Sequence, residues 1–128
     1  MYGKDYVNNP KFGDIWMCNL RDSGGSVQSG YRPVFILSND RNNTHSPTIN
    51  IIPLTSKMGK RRLPIHVELW NYKDYGLNSP STMLIEQITT VPSSDLDFKV
   101  GKIIDPKTIT RIQNAMRIQF PVFNAIAS

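Results

Sequence analysis

Short apolar runs alternate with polar positions along most of the chain, separated by clusters of Gly, Pro, Asn and Ser. Period-two alternation between turn residues is the mark of half-buried β-strands. It predicts five or six strands, over residues 13–20, 32–37, 49–55, 65–69, 83–88 and 98–103. Short strands at this spacing indicate a small barrel or sandwich rather than a parallel sheet with crossover helices.

The end of the chain follows a different period. Asp105 and Pro106 offer an N-cap and a proline at the first helical position, and Ile109, Ile112, Met116 and Phe120 follow at three- and four-residue spacing. One amphipathic helix is expected there. Pro121 should end or kink it, leaving residues 122–126 as a short continuation. Residues 1–11 read as a flexible N-terminal arm and 12–128 as a single domain, since 128 residues suit one core and no internal repeat is visible.

Three loops interrupt the strands. Residues 22–30 carry three glycines and no bulky aromatic, which suits a lid that lets a backbone approach closely. Residues 57–62 place four positive charges in six positions, directly after Thr55 and Ser56. Residues 71–81 are polar and carry no visible chemistry.

Composition narrows the classes. The longest apolar runs, Val34 to Leu37 and Met83 to Ile85, fall far short of the roughly 20 residues that span a bilayer, so no membrane segment is expected. The first residues lack an apolar run of signal-peptide type, which points to the cytoplasm. Cys18 is the only cysteine, so there is no internal disulfide and no CxxC motif. A formal charge of +5 favours an anionic partner, although a solvated basic face would give the same balance.

Few catalytic schemes fit these residues. Two distant histidines and one cysteine do not make a convergent metal site or a nucleophile triad, and no P-loop or GxGxxG sequence is present, so no cofactor is expected. Phosphate chemistry carried by a guanidinium is left, because arginine matches phosphate oxygens with a planar fork of donors. Arg32 stands at a strand start beside the glycine-rich loop, and Pro33 biases it to an extended backbone. By position alone, a surface arginine that merely opens a strand is the favoured reading. Thr55 could offer its hydroxyl to a phosphate oxygen, or be an ordinary β-branched strand residue. His66 shares a face with Glu68 and is expected to pair with it structurally. His45 reads as a solvated loop residue.

The ordered motifs are specific as a set. Gly13-Asp14-Ile15-Trp16, Gly25 to Val34, Ser38-Asn39-Asp40, Ser46-Pro47-Thr48, Leu54-Thr55-Ser56, Leu63 to Val67 and Glu86-Gln87-Ile88 together resemble the MazF/PemK family, the endoribonuclease toxins of bacterial toxin-antitoxin pairs. The resemblance implies a small Src-homology-3-like antiparallel barrel with a C-terminal helix, of the MazF/PemK/CcdB plasmid-maintenance type. It implies a homodimer with single-stranded RNA along its interface groove, and an acidic, MazE-like antitoxin as protein partner. It also implies metal-independent cleavage of messenger RNA at short motifs, in which the ribose 2′-hydroxyl attacks the adjacent phosphate.

Carried over residue by residue, the resemblance makes Arg32 and Thr55 the catalytic pair and places Ser26, Gln28, Ser56, Leu63, Pro64 and Gln87 along the RNA groove. Lys57, first of the basic loop, is expected at the RNA backbone. Two departures stand out. Val27 occupies a position where many relatives have glutamate, and Phe12 precedes Gly13 where a basic residue is common. Both lie where substrate would pass. A non-catalytic RNA-binding barrel stays open as an alternative, with Trp16, Tyr31 and Phe35 as stacking aromatics or as core. So does a gyrase-binding toxin of the same superfamily, although its C-terminal tryptophan is missing here, where Trp70 is the last.

Overall fold

A computed structural model describes residues 9–21, 28–58 and 63–125. Its strands are β1 (Asp14–Leu20), β2 (Gly30–Ile36), β3 (Thr48–Thr55), β4 (His66–Leu69), β5 (Ser81–Leu84), β6 (Thr89–Pro92) and β7 (Leu96–Lys102). Two α-helices, α1 (Asp40–His45) and α2 (Pro106–Gln119), accompany them, with 3-10 turns at Tyr72–Tyr75, Ile85–Gln87, Ser93–Asp95 and Pro121–Phe123. The strands form one antiparallel sheet in the order β4-β5-β3-β2-β1-β7, and β6 also pairs with β3. The expected mainly-β architecture with one C-terminal amphipathic helix is present.

The sheet curls so that both its faces are buried. One face packs with α2 through Ile15, Phe35, Ile52, Leu54 and Ile112, and the other gathers Trp16, Val34, Ile36, Ile49, Ile51 and Val91. Alternate residues of one strand therefore enter different cores, which is why Val34-Phe35-Ile36 reads as an unbroken apolar run. Trp16 and Phe35 thus belong to the core, and only Tyr31 of the three weighed aromatics is exposed.

The segment expected as one strand over 83–88 holds the end of β5 and a turn, which separates β5 from β6. Both strands lie along the same edge of β3: Thr82 and Met83 face Thr55 and Leu54, whereas Thr89 to Pro92 face Ile51 to Thr48. Between them the Ile88 amide donates to the Ile85 carbonyl and closes a 3-10 turn. Ile85 is fully buried in that turn, and its apolar character made the run look continuous. The short helix α1 was not anticipated, because Asp40–His45 is polar and buries only Asn43. Asn39 caps it by accepting the Asn42 amide, and His45 sits in its last turn rather than in a loop.

Helix α2 follows expectation closely. Asp105 caps it through Thr108, Ile112 and Ala115 are buried against the sheet, and the helix stops at Phe120 before Pro121. Residues 1–8 of the expected arm, 22–27 of the expected lid and 59–62 of the basic loop lie outside the described residues.

Candidate active site

Strands β2 and β3 bring the two principal candidates together. Val34 pairs with Pro53, Phe35 with Ile52 and Ile36 with Ile51. Carried two residues further, this register sets Arg32 across from Thr55 on the same side of the sheet, since side chains alternate with period two. Both line a cleft of about 500 Å³. Met17, Pro33 and Leu54 line it as well, and its other wall comes from Leu77, Asn78 and Ser79 together with Phe98 and Val100 of β7.

Arg32 is half-buried, and its Nε donates to the Ser29 carbonyl at 2.9 Å. That bond fixes the plane of the guanidinium while its two terminal nitrogens keep no protein partner among the described residues. Thr55 is buried, and its Oγ1 accepts the Lys57 amide at 3.2 Å. With an acceptor site used in that way, the hydroxyl proton is left to donate into the cleft. Ser56 lines the same space. Lys99 adds a second cation at the wall, and its Nζ lies 3.3 Å from the buried carboxylate of Asp14. Asp14 is itself held by the Lys11 amide and by Trp16 Nε1.

Gln28 and Gln87 also meet, because the Gln28 amide donates to Gln87 Oε1 at 2.8 Å. Lys57, Leu63 and Pro64 are exposed and do not line the cleft. Ser26 lies outside the described residues. The expected His66–Glu68 pair is replaced by another: His66 Nε2 lies 3.1 Å from Glu86 Oε2. His66 stands opposite Leu84, so the turn immediately after β5 swings Glu86 within reach.

Three contributions escaped the sequence reading. The loop over 71–81 forms a wall of the cleft instead of being chemically idle. It can lie there because Gly76, with φ of +77°, and Gly101 of β7 press backbone to backbone. A Cβ on Gly76 would meet the Val100 carbonyl oxygen at 2.2 Å, and one on Gly101 would meet the Tyr75 carbonyl oxygen at 2.0 Å. A glycine inside a strand pattern is the available signal for such an approach. Phe98 is the second contribution, a half-exposed aromatic that lines the cleft with Tyr31, which the sequence offers as a stacking residue. The Tyr31 hydroxyl donates to the Asp97 carboxylate, and this bond pushes the phenol above its usual range. Lys99 is the third.

A curled antiparallel sheet with a C-terminal helix, carrying a cleft bounded by β2, β3, β7 and the loop over 71–81 with Arg32 in its lining, defines the class of protein. Residues 11–120 match the family described as PemK-like, MazF-like toxin of type II toxin-antitoxin systems. The chain is 37% identical over 106 residues to an endoribonuclease MazF of Staphylococcus saprophyticus, covering 83% of this chain and 87% of that protein. Among solved structures, MazF from Deinococcus radiodurans superposes with a TM-score of 0.73 at 18% identity, covering 94% of this chain and all of that one, 100%. A mycobacterial endoribonuclease bound to its cognate antitoxin gives 0.66 at 23% identity, covering 88% and 96%. The chain belongs to the PemK/MazF toxin family.

Proposed function

We propose that this protein is the toxin of a type II toxin-antitoxin pair and acts as a metal-independent endoribonuclease on single-stranded messenger RNA in the cytoplasm. The observation that carries this reading is that Arg32 and Thr55 line one cleft, at the end toward which the β2–β3 register runs. The ribose 2′-hydroxyl gives up its proton and attacks the adjacent phosphorus. The 5′-oxygen leaves and takes a proton, so the products are a 2′,3′-cyclic phosphate and a 5′-hydroxyl. Negative charge builds on the phosphorane, and the Arg32 terminal nitrogens stabilise it there more than in the ground state. Thr55 donates its hydroxyl to a non-bridging oxygen.

In this reading residues 12–128 form the toxin domain, and Ser26, Gln28, Ser56, Lys57, Leu63, Pro64 and Gln87 guide the strand. RNA runs along a groove between two copies of the chain, and an acidic antitoxin segment folds over the same basic surface to silence it. No helix among the described residues is long and apolar enough to cross a membrane. The test is direct. Purified protein incubated with a long single-stranded RNA in EDTA should cut it at a recurrent short motif, and RNA left intact across varied sequences would defeat the enzymatic reading.

A further inference from the structure

Resting on the RNA-cutting reading, we propose that Tyr31 and Phe98 form a base-stacking subsite on the cleft wall, which receives one unpaired base beside the reacting phosphate and so helps set the cleaved motif. Both rings line the cleft, and each is 52% exposed, although most large apolar side chains of the sheet are buried. Tyr31 directly precedes Arg32 in β2, and although neighbouring side chains leave a strand on opposite faces, both residues border this one cleft. Among the described residues neither ring contacts another aromatic ring.

Tyr31 is also held in place. Its hydroxyl donates to Asp97, reaching from β2 across β1 to β7. An exposed tyrosine ordinarily samples several rotamers, and fixing one of them lowers the entropy lost when a base stacks. The charges order the strand in the same sense. Arg32 attracts phosphates, while the Asp97 carboxylate repels them, so the backbone keeps to the Arg32 side and the base turns toward the rings. The carboxylate lone pairs not used by Tyr31 can accept N–H groups at a base edge, which gives the subsite a means of choosing among bases. Stacking itself accepts any base.

The experiment uses a single-stranded oligonucleotide containing the mapped cut motif, with a 2′-deoxy sugar at the reacting position so that it binds without being cut. Each base near the cut is replaced in turn by an abasic site, and affinities are measured for the wild type, Tyr31→Ala, Tyr31→Phe and Phe98→Ala. For the wild type, one abasic position should weaken binding about tenfold. Tyr31→Ala should bind the intact oligonucleotide about tenfold more weakly and show no further loss at that position, while Tyr31→Phe, which keeps the ring, should lose only about two- to threefold. Phe98→Ala should flatten the profile at the same position and guards against a folding defect at Tyr31. A wild-type abasic penalty that persists in both alanine variants would overturn the subsite while leaving RNA cleavage standing. A wild type that neither binds nor cuts RNA would overturn the functional reading itself.

Discussion

The backbone amide of Gln28 donates to the side-chain oxygen of Gln87 across 59 positions of sequence, at 2.8 Å. The contact ties the approach to β2 to the turn between β5 and β6, four residues before Arg32. Ser29 lies between them and supplies the carbonyl that orients the Arg32 guanidinium. Gln87 therefore acts on the arginine through backbone, in addition to any contact with RNA. Gln87→Glu keeps the acceptor and should retain most activity. Gln87→Leu leaves a polar amide without its partner, a loss of about 1–3 kcal/mol, and kcat/KM on a fixed oligonucleotide should fall about tenfold. Equal activity in the two variants would contradict this role.

Gly101 has no room for a side chain. Gly101→Ala would drive a Cβ into the Tyr75 carbonyl and push the loop over 71–81 off β7. That loop is a wall of the cleft, so RNA binding should weaken along with stability, whereas an alanine at a loosely packed glycine would do neither. Thermal denaturation and oligonucleotide affinity measured together test this. A variant as stable and as tightly binding as the wild type would show that the close approach is unimportant.

The fold was legible where pattern and packing agree. Asp105, Pro106 and the spacing of Ile109, Ile112, Met116 and Phe120 specified α2 to within a residue or two of its ends, because capping and amphipathicity are local. The break within residues 83–88 was hidden, because Ile85 is buried in a turn as thoroughly as it would be in a strand. At the candidate site, the motifs around Arg32 and Thr55 single them out, and their meeting depends on a strand register that a single sequence does not display. The loop over 71–81 shows no chemistry in the sequence because Leu77, Asn78 and Ser79 contribute shape rather than a reactive group, and the glycine that lets it lie there, Gly101, is twenty-five residues beyond Gly76. The carboxylate that pairs with His66 is hidden in the sequence, since Glu86 lies on a neighbouring turn rather than on the same strand.

Acid should erode the anchoring of α2. The Asp105 carboxylate accepts the Tyr75 hydroxyl at 2.7 Å and the Thr108 amide at 3.0 Å, and chiefly the first of these holds its pKa below the ordinary 3.8. A carboxylate with a lowered folded-state pKa contributes fully above its unfolded value and loses that contribution as pH falls through the folded one. The window therefore opens near 3.8 and extends downward. Asp105→Ala should cost about 1 kcal/mol at neutral pH as a lost cap, and its deficit against the wild type should narrow below that window. Urea midpoints from neutral to strongly acid pH measure it, and a deficit constant throughout would refute the assignment.

Cys18 should be inert. It is fully buried, and burial, assisted by the charge of Asp95, pushes its thiol up to about 11. Only the thiolate reacts readily. Labelling by a thiol reagent at neutral pH should be slow in the folded protein and fast in denaturant, and rapid labelling under native conditions would contradict the packing of that core.

The central claim is that Arg32 supplies the fixed cation for phosphoryl transfer. Its most direct measurement compares the RNA ends produced in EDTA by the wild type, Arg32→Lys and Arg32→Ala, at matched secondary structure and thermal stability. The wild type should leave 2′,3′-cyclic phosphate and 5′-hydroxyl ends. Arg32→Lys keeps the charge but loses the fork and the Ser29 anchor, and should be slowed by about 10²-fold or more, with Arg32→Ala slower still. An Arg32→Ala protein that cuts as fast as the wild type, or wild-type ends carrying a 5′-phosphate, would contradict the account.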